Sequence, residues 1–313
     1  LYHDLHTSFQ HYQSWGGDIM SPIYVPGKVV LRGPTVAPLL LDSYAGAAAA
    51  YSLRQLSWAY GGPVVRVRRS SGSPSEADFT ATEVSDGTLA AWVGAGNDGF
   101  VRTWYDQSGN ANHATQTTTA NQPNIVSSGS LQTLNTKPAL SFNGSSQYLS
   151  AHAVASAFSG TDKPASAFHV SKVNNNTNFM SVAALGNSAT NNSLFVLGDY
   201  FNNNSINSGK RDDANNNKIT QAGTPGTVQN LISATTNGTS INGYLQSTAI
   251  VSNFNCDVGL LTLNRFTIGA HERVSIGSYV NGFIQEVIYY PSDLASSRLA
   301  IESNINAHYG IYP

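Results

Sequence analysis

The chain has 313 residues, of which only 11% are charged, with a net charge of -2. That balance excludes the basic footprint of a nucleic-acid binder and the like-charge block of an acidic tail. Hydrophobic residues make up 41%, enough for a buried core. The polar remainder is mostly Asn, Ser, Thr and Gly, which suits strand ladders and amide-rich loops better than solvent-facing helices. One cysteine, Cys256, cannot form an internal disulfide, so the chain is expected to fold in a reducing compartment with Cys256 as a small buried residue. No apolar run reaches the ~18 residues of a membrane span. The start, Leu1-Tyr2-His3-Asp4, is neither a signal peptide nor an initiator Met, and reads as that of a trimmed or incomplete product.

Residues 1–37 read as an extended arm. Phe9, Tyr12 and Trp15 stand in a segment too short for its own core, and Pro22, Pro26, Pro34 and Pro38 then keep the chain extended. The expected role is docking onto another subunit or a larger assembly, most simply as a homo-oligomer. His3, His6 and His11 have neither a helix-face spacing nor a Cys companion, so no metal is expected there. Ser43–Leu56 is expected as a helix: Asp42 or Ser43 caps it, alanines fill it, and Gly61-Gly62-Pro63 stops it. Val64 to Arg69 alternates as a strand whose arginines face solvent or pair with Glu76, Asp78 and Glu83.

Further strands are expected at 100–105, 139–142, 166–173, 179–185, 231–235, 265–270 and 283–290, with Asn-rich loops such as Asn202-Asn203-Asn204 between them. A second helix is expected over Asp293–His308, capped by Ser292, with Leu294, Leu299, Ile301 and Ile305 inward. Short strands separated by turn signals, with two helices, make the fold all-β. No fixed-period repeat is visible, which argues against a solenoid or propeller.

Three stretches carry a more specific signal. They are Trp104-Tyr105-Asp106-Gln107-Ser108-Gly109-Asn110, the Asn-Gly turn in Leu140-Ser141-Phe142-Asn143-Gly144, and the closing Gly282 to Asp293 run with its Tyr290-Pro291-Ser292-Asp293 end. Together they resemble the concanavalin A-like (laminin-G-like) jelly roll of phage virion surface proteins and of the family 54 arabinofuranosidases. The resemblance implies one jelly-roll domain over 38–313 with two peripheral helices. It also implies a structural role for the Asp106 motif and a tail or head fibre that offers the sandwich to a host-surface glycan. The expected location is the virion surface, after assembly in the host cytoplasm, with other virion proteins held through the arm.

The same resemblance can be followed to the arabinofuranosidase catalytic pair. Where that family has a Glu two residues after an Asp, this chain reads Asp199-Tyr200-Phe201, with Phe201 in place of the Glu. Where it has an Asp after Gly-Gly, this chain reads Gly269-Ala270-His271, with His271 in place of the Asp and Glu272 one residue off. The family's adjacent cysteine pair is absent. A retaining pair of carboxyls ~5 Å apart is therefore not expected, and the expectation is no catalytic residue and no enzyme activity. No Gly-x-Ser-x-Gly elbow, His-Glu-x-x-His or phosphate loop is present, and no cofactor, metal, nucleic-acid or membrane partner is called for. If a sugar binds, the positions implied are Asp199, Tyr200, Asn202, His271 and Arg273. Tyr200 would offer a ring face, Asp199 and Asn202 would bond hydroxyls, and Arg273 would favour an acidic sugar. Three functions stay open: a glycan-binding adhesin, a decoration subunit without ligand, and a glycoside hydrolase.

Overall fold

The protein is described from a computed structural model that covers residues 22–25, 28–31, 37–175 and 178–313. The chain divides into Leu1–Pro38 and Leu39–Pro313. In the first unit Pro22–Val25 and Lys28–Leu31 pair as an antiparallel hairpin. Phe9, Tyr12, Trp15 and the three histidines of the arm lie outside the described residues.

The second unit is a sandwich of two antiparallel sheets. One runs Thr248–Asn255, Ser240–Leu245, Asn230–Thr236, Ala165–Val173, Asn281–Tyr290, with Ala49–Ser52 and Leu140–Asn143 sharing the far edge of the last. The other begins Asn217–Ala222, Ser205–Arg211, Leu194–Phe201, Ala183–Gly186, Arg265–Ile268. It continues through Leu149–Ser150 and Ala114–Thr115 to Gly99–Trp104, Val65–Arg69 and Glu76–Phe79. Among the described residues no helix is long and apolar enough to cross a membrane.

Alternation along the strands assigns each face. Ala167, Ile232, Ala234, Val287 and Tyr289 of the first sheet meet Leu185, Phe195, Leu197, Ile206 and Phe266 of the second in the main core. The interleaved Phe168, Val170, Leu231, Ile288 and Tyr290 face the other way, onto Ile301, Ile305 and Tyr309 of the helix Arg298–Tyr309. The first sheet is thus buried on both faces, which is why its central strands carry apolar residues on both. This is the expected all-β jelly-roll sandwich.

Both expected helices need correction. The second begins at Arg298, not Asp293, and Leu299 is 61% exposed. The Ser292 carbonyl accepts from Ser166 Oγ, and no side chain caps the helix. The first is reduced to Leu40–Ser43, and the alanine run continues into the strand Ala49–Ser52. Alanine prefers a helix over ordinary residues by less than ~1 kcal/mol each, which tertiary pairing readily overrides. That pairing comes from two sides. Asn281–Tyr290 hydrogen-bonds one edge of the strand.

The Asp106 loop holds the other edge. Asp106 Oδ1 accepts from Ala50 N–H at 2.8 Å, and Gln107 N–H donates to the Ala50 carbonyl. Gln107 Nε2 donates to the carbonyls of Ser52 and Arg54, while its Oε1 accepts from Leu56 N–H. Asn110 and Asn112 donate to the carbonyls of Ala47 and Ala48. Asp106 is buried and also accepts from Ser108 and Asn112. The motif is therefore a clamp that makes a strand of a helix-forming sequence. Asp106→Ala should cost about 1–3 kcal/mol by orphaning buried donors. Urea denaturation of the variant checks this, and an unchanged midpoint would remove the clamp.

Candidate functional site: the outer face of the second sheet

The second sheet has one face in the core, and the register fixes what lies on the other. Leu185, Phe195, Leu197, Tyr200 and Ile206 point into the core. Their cross-strand partners and alternating neighbours place Ala184, Gly186, Val196, Asp199, Phe201, Asn207, Gly209 and Arg211 on the outer face. Thr267 and Arg265 pair with Ala184 and Gly186, so they share it. The hairpin of His271–Glu272 and Ile276–Gly277 folds back over this face. A Cβ built on Gly186 would lie 2.2 Å from the Glu272 carbonyl and 3.2 Å from Arg273 Cγ. The missing side chain at Gly186 is what lets the hairpin lie so close.

A bulge decides which of the expected residues reach this face. The register of Leu194–Phe201 against Ser205–Arg211 shifts between Leu197 and Asp199, where Gly198 has φ +101°. Unbroken alternation from Phe195 and Leu197 would send Asp199 inward and Tyr200 outward. The extra residue reverses both. Tyr200 is fully buried, its hydroxyl within hydrogen-bond distance of Ser171 Oγ and Asn230 Nδ2. This corrects the expectation that its ring offers a stacking face. Asp199 takes the outer face but is covered: Ser181 Oγ donates to it at 2.6 Å and Val182 N–H at 2.9 Å. Burial pushes its carboxyl up to about 7, against the lowering by those hydrogen bonds.

His271 is also buried, edge-on to Phe179, whose ring lies 5.7 Å from that of Phe201. Its Nε2 has no hydrogen-bond partner among the described residues, nor has the buried Oδ1 of Asn207. Burial, with the nearby Arg273 and Arg211 charges, holds the imidazole down at about 3, so it is neutral. Arg273 reaches the Asn191 carbonyl from the hairpin. Arg211, which the sequence reading did not single out, donates to the Asn191 and Asn192 carbonyls from the neighbouring strand. Asn202 is exposed in the turn after Phe201, at the other end of the strand from Arg211. At ~3.3 Å per residue the two ends stand roughly 20 Å apart, the span of several sugar rings.

Farther across the same face lies a cleft of about 520 Å³, lined by Asn112, His113, Gln116, Tyr148, Ser150 and His152 among others. His152 Nε2 sits 3.5 Å from Glu272 Oε2, and Arg265 Nε donates to Glu272 Oε1 at 2.8 Å. Glu272 therefore divides this cleft from the arginines. Asp199 and Glu272 are engaged with different partners, and no other carboxylate contributes to the Asp199 shift. Among the described residues no three His, Cys, Asp or Glu side chains gather to hold a metal ion.

No protein-family model matches the chain, and no curated protein matches it in sequence. Solved structures do match. A GH54 α-L-arabinofuranosidase soaked with a cyclic sulfate inhibitor has a TM-score of 0.59 at 18% identity, over 86% of this chain and 64% of that one. An arabinofuranosidase complexed with arabinofuranosyl-α-1,2-xylobiose has a TM-score of 0.56 at 18% identity, over the same shares. These two likenesses show the fold. The chain spans about 64% of the arabinofuranosidases' own length. A CBM40 domain of a Ruminococcus gnavus IT-sialidase bound to α2,3-sialyllactose matches 45% of this chain and 82% of its own, at 14% identity and a TM-score of 0.39. Nothing in these three matches points to a phage fibre.

The comparison corrects one expectation outright. The expectation is no enzyme, yet the arabinofuranosidases matched at TM-scores of 0.59 and 0.56 are glycoside hydrolases, so the sandwich is one on which such enzymes are built. The roles of individual side chains rest on the geometry above.

Proposed function

We propose that this chain is a carbohydrate-active sandwich that takes a glycan along the outer face of its second sheet. The observation that carries the reading is the polar cleft of about 520 Å³ on that face, with Tyr148 in its wall. Amides, hydroxyls and one aromatic ring are the chemistry that bonds and stacks sugar rings, and the volume falls in the range of small-molecule sites. The fold likeness to arabinofuranosidases supports the same class. Tyr148 is half-buried and stands 6.4 Å from the Tyr279 ring. Tyr148→Ala should therefore weaken glycan binding by about 1–3 kcal/mol while leaving the melting temperature almost unchanged. A glycan array followed by titration calorimetry on the best ligand measures this. Equal affinity in the variant would sink the placement.

Glycoside hydrolysis at this face is the second reading. Asp199, pushed up to about 7, would still carry its proton at mildly acid pH, the state a general acid requires. Release of arabinose from arabinoxylan, falling away as pH rises past 7 and lost in Asp199→Asn, would establish it. Binding without release would leave the first reading alone. The finer setting proposed is a virion surface, with the arm held by other virion proteins, and it rests on the likeness of the Asp106 and Tyr290-Pro291-Ser292-Asp293 motifs. Mass spectrometry of purified particles tests it.

A further inference from the structure

The two arginines at the end of this face are unusual in what they lack. Arg211 and Arg273 are each partly buried, and both donate to the Asn191 carbonyl, at 2.5 Å. Two guanidiniums that converge on one neutral oxygen repel each other, and among the described residues neither has an ion-pair partner. The carboxylates nearest in the chain are committed elsewhere. Asp212 accepts from Asn216 and Gly259, Asp213 from Ser193 and Thr262, and Glu272 holds Arg265. All the other described arginines except Arg68 and Arg69 have an acidic partner, and those two donate to Gln122, Pro74 and Trp92.

A second observation is independent of charge. His271 Nε2, two residues before Arg273 and within reach of the Arg211 charge, is buried without a partner among the described residues. Buried polar atoms are nearly always bonded, so this orphan is a place for a ligand's or a water's hydrogen bond. A group that satisfies both would bring a negative charge for the two forks and a hydroxyl for His271.

We infer that Arg211 and Arg273 form a subsite for the carboxylate of an acidic sugar residue, with His271 bonding one of its hydroxyls. The inference rests on the proposed glycan-binding reading and narrows it to carboxylated glycans. A planar carboxylate can take paired N–H donors from guanidinium forks, which a neutral hydroxyl cannot, so the site discriminates between an acidic sugar and its neutral counterpart. The Asn191 carbonyl that now spans the two arginines is what the ligand's carboxylate would displace or join.

The test compares matched sugars on the full chain by titration and thermal shift. The acidic probes are glucuronate, galacturonate and N-acetylneuraminate, the neutral ones glucose, galactose and N-acetylmannosamine, and inorganic phosphate reports a bare anion site. Expected is tighter binding of at least one acidic sugar than of its neutral partner. In the double variant Arg211→Gln/Arg273→Gln that sugar should bind about tenfold more weakly or worse, with neutral sugars unaffected. Arg273→Lys keeps the charge without the fork and should retain part of the preference, which separates recognition from loss of folding. Neutral sugars bound as well as acidic ones would overturn the subsite while leaving glycan binding intact. Phosphate bound as tightly as the acidic sugars would overturn the sugar assignment. No stabilisation by any probe would overturn both readings.

Discussion

Replacing Arg54 by alanine is expected to destabilise the fold by about 3–5 kcal/mol, because it strands a buried carboxylate. Glu286 lies on the Asn281–Tyr290 strand with its side chain fully buried, and Arg54 grips it with both arms of its fork, at 2.8 and 3.0 Å. Ser52 Oγ donates to the same carboxylate at 2.8 Å, and Tyr309 Oη of the C-terminal helix lies 3.2 Å from it. Arg54 also donates to Asn304 on that helix. The pair thus ties the clamped alanine strand, the central strand and the helix at one point. Burial opposes the charge on Arg54, but Glu286 outweighs it and the guanidinium ends above its ordinary value. Removing both charges with Arg54→Met and Glu286→Leu should recover much of the loss, since the penalty comes from the unpaired ion more than from the missing bond. Urea denaturation of the two variants separates these contributions. A loss below ~1 kcal/mol in Arg54→Ala would mean that the pair is solvated.

What the sequence made legible follows from where two faces are buried. The strands Ala165–Val173 and Asn281–Tyr290 sit between the main core and the helix, so apolar residues fall on both faces and the segments stand out. Leu194–Phe201, Ser205–Arg211 and Asn217–Ala222 were not read as strands. Ser205–Arg211 and Asn217–Ala222 are largely polar, the last has no buried residue at all, and the alternation of Leu194–Phe201 is broken at Gly198. The alanine run was misread because local propensity was visible while the Asp106 clamp, far along the chain, was not. The candidate site shows the same limit. Asp199, His271 and Arg273 were found through the family resemblance. Tyr200 comes from the same resemblance, and the bulge that turns its ring into the core is marked in the sequence by Gly198 alone. Arg211 was missed because its neighbour Arg273 becomes one only after the hairpin folds over Gly186.

The second large effect concerns Asp199 and has a definite sign in pH. Burial disfavours the charged form and pushes its carboxyl in the folded protein up to about 7 from an ordinary 3.8. Between these two values the folded state keeps a proton that the unfolded state has released. Stability therefore falls as pH rises from about 4 to about 7 and stays low above that, with a total on the order of 4 kcal/mol. Asparagine is nearly isosteric and cannot ionise. Its Oδ1 can accept from Val182 N–H, and its Nδ2 can donate to Ser181 Oγ, where the acid now sits. Asp199→Asn should match the parent near pH 4 and exceed it progressively up to pH 7. The buried His169 and His271, held down at about 4 and about 3, act in the opposite sense. They contribute stability above pH 6.5 that is lost as pH falls towards those values, but they are common to both proteins and cancel in the difference. Denaturant unfolding of both proteins from pH 4 to 8 gives that difference directly. A difference that stays flat across the range would mean that Asp199 is ionised in the fold at pH 4, and it would remove Asp199 as a source of protons for any chemistry on this face.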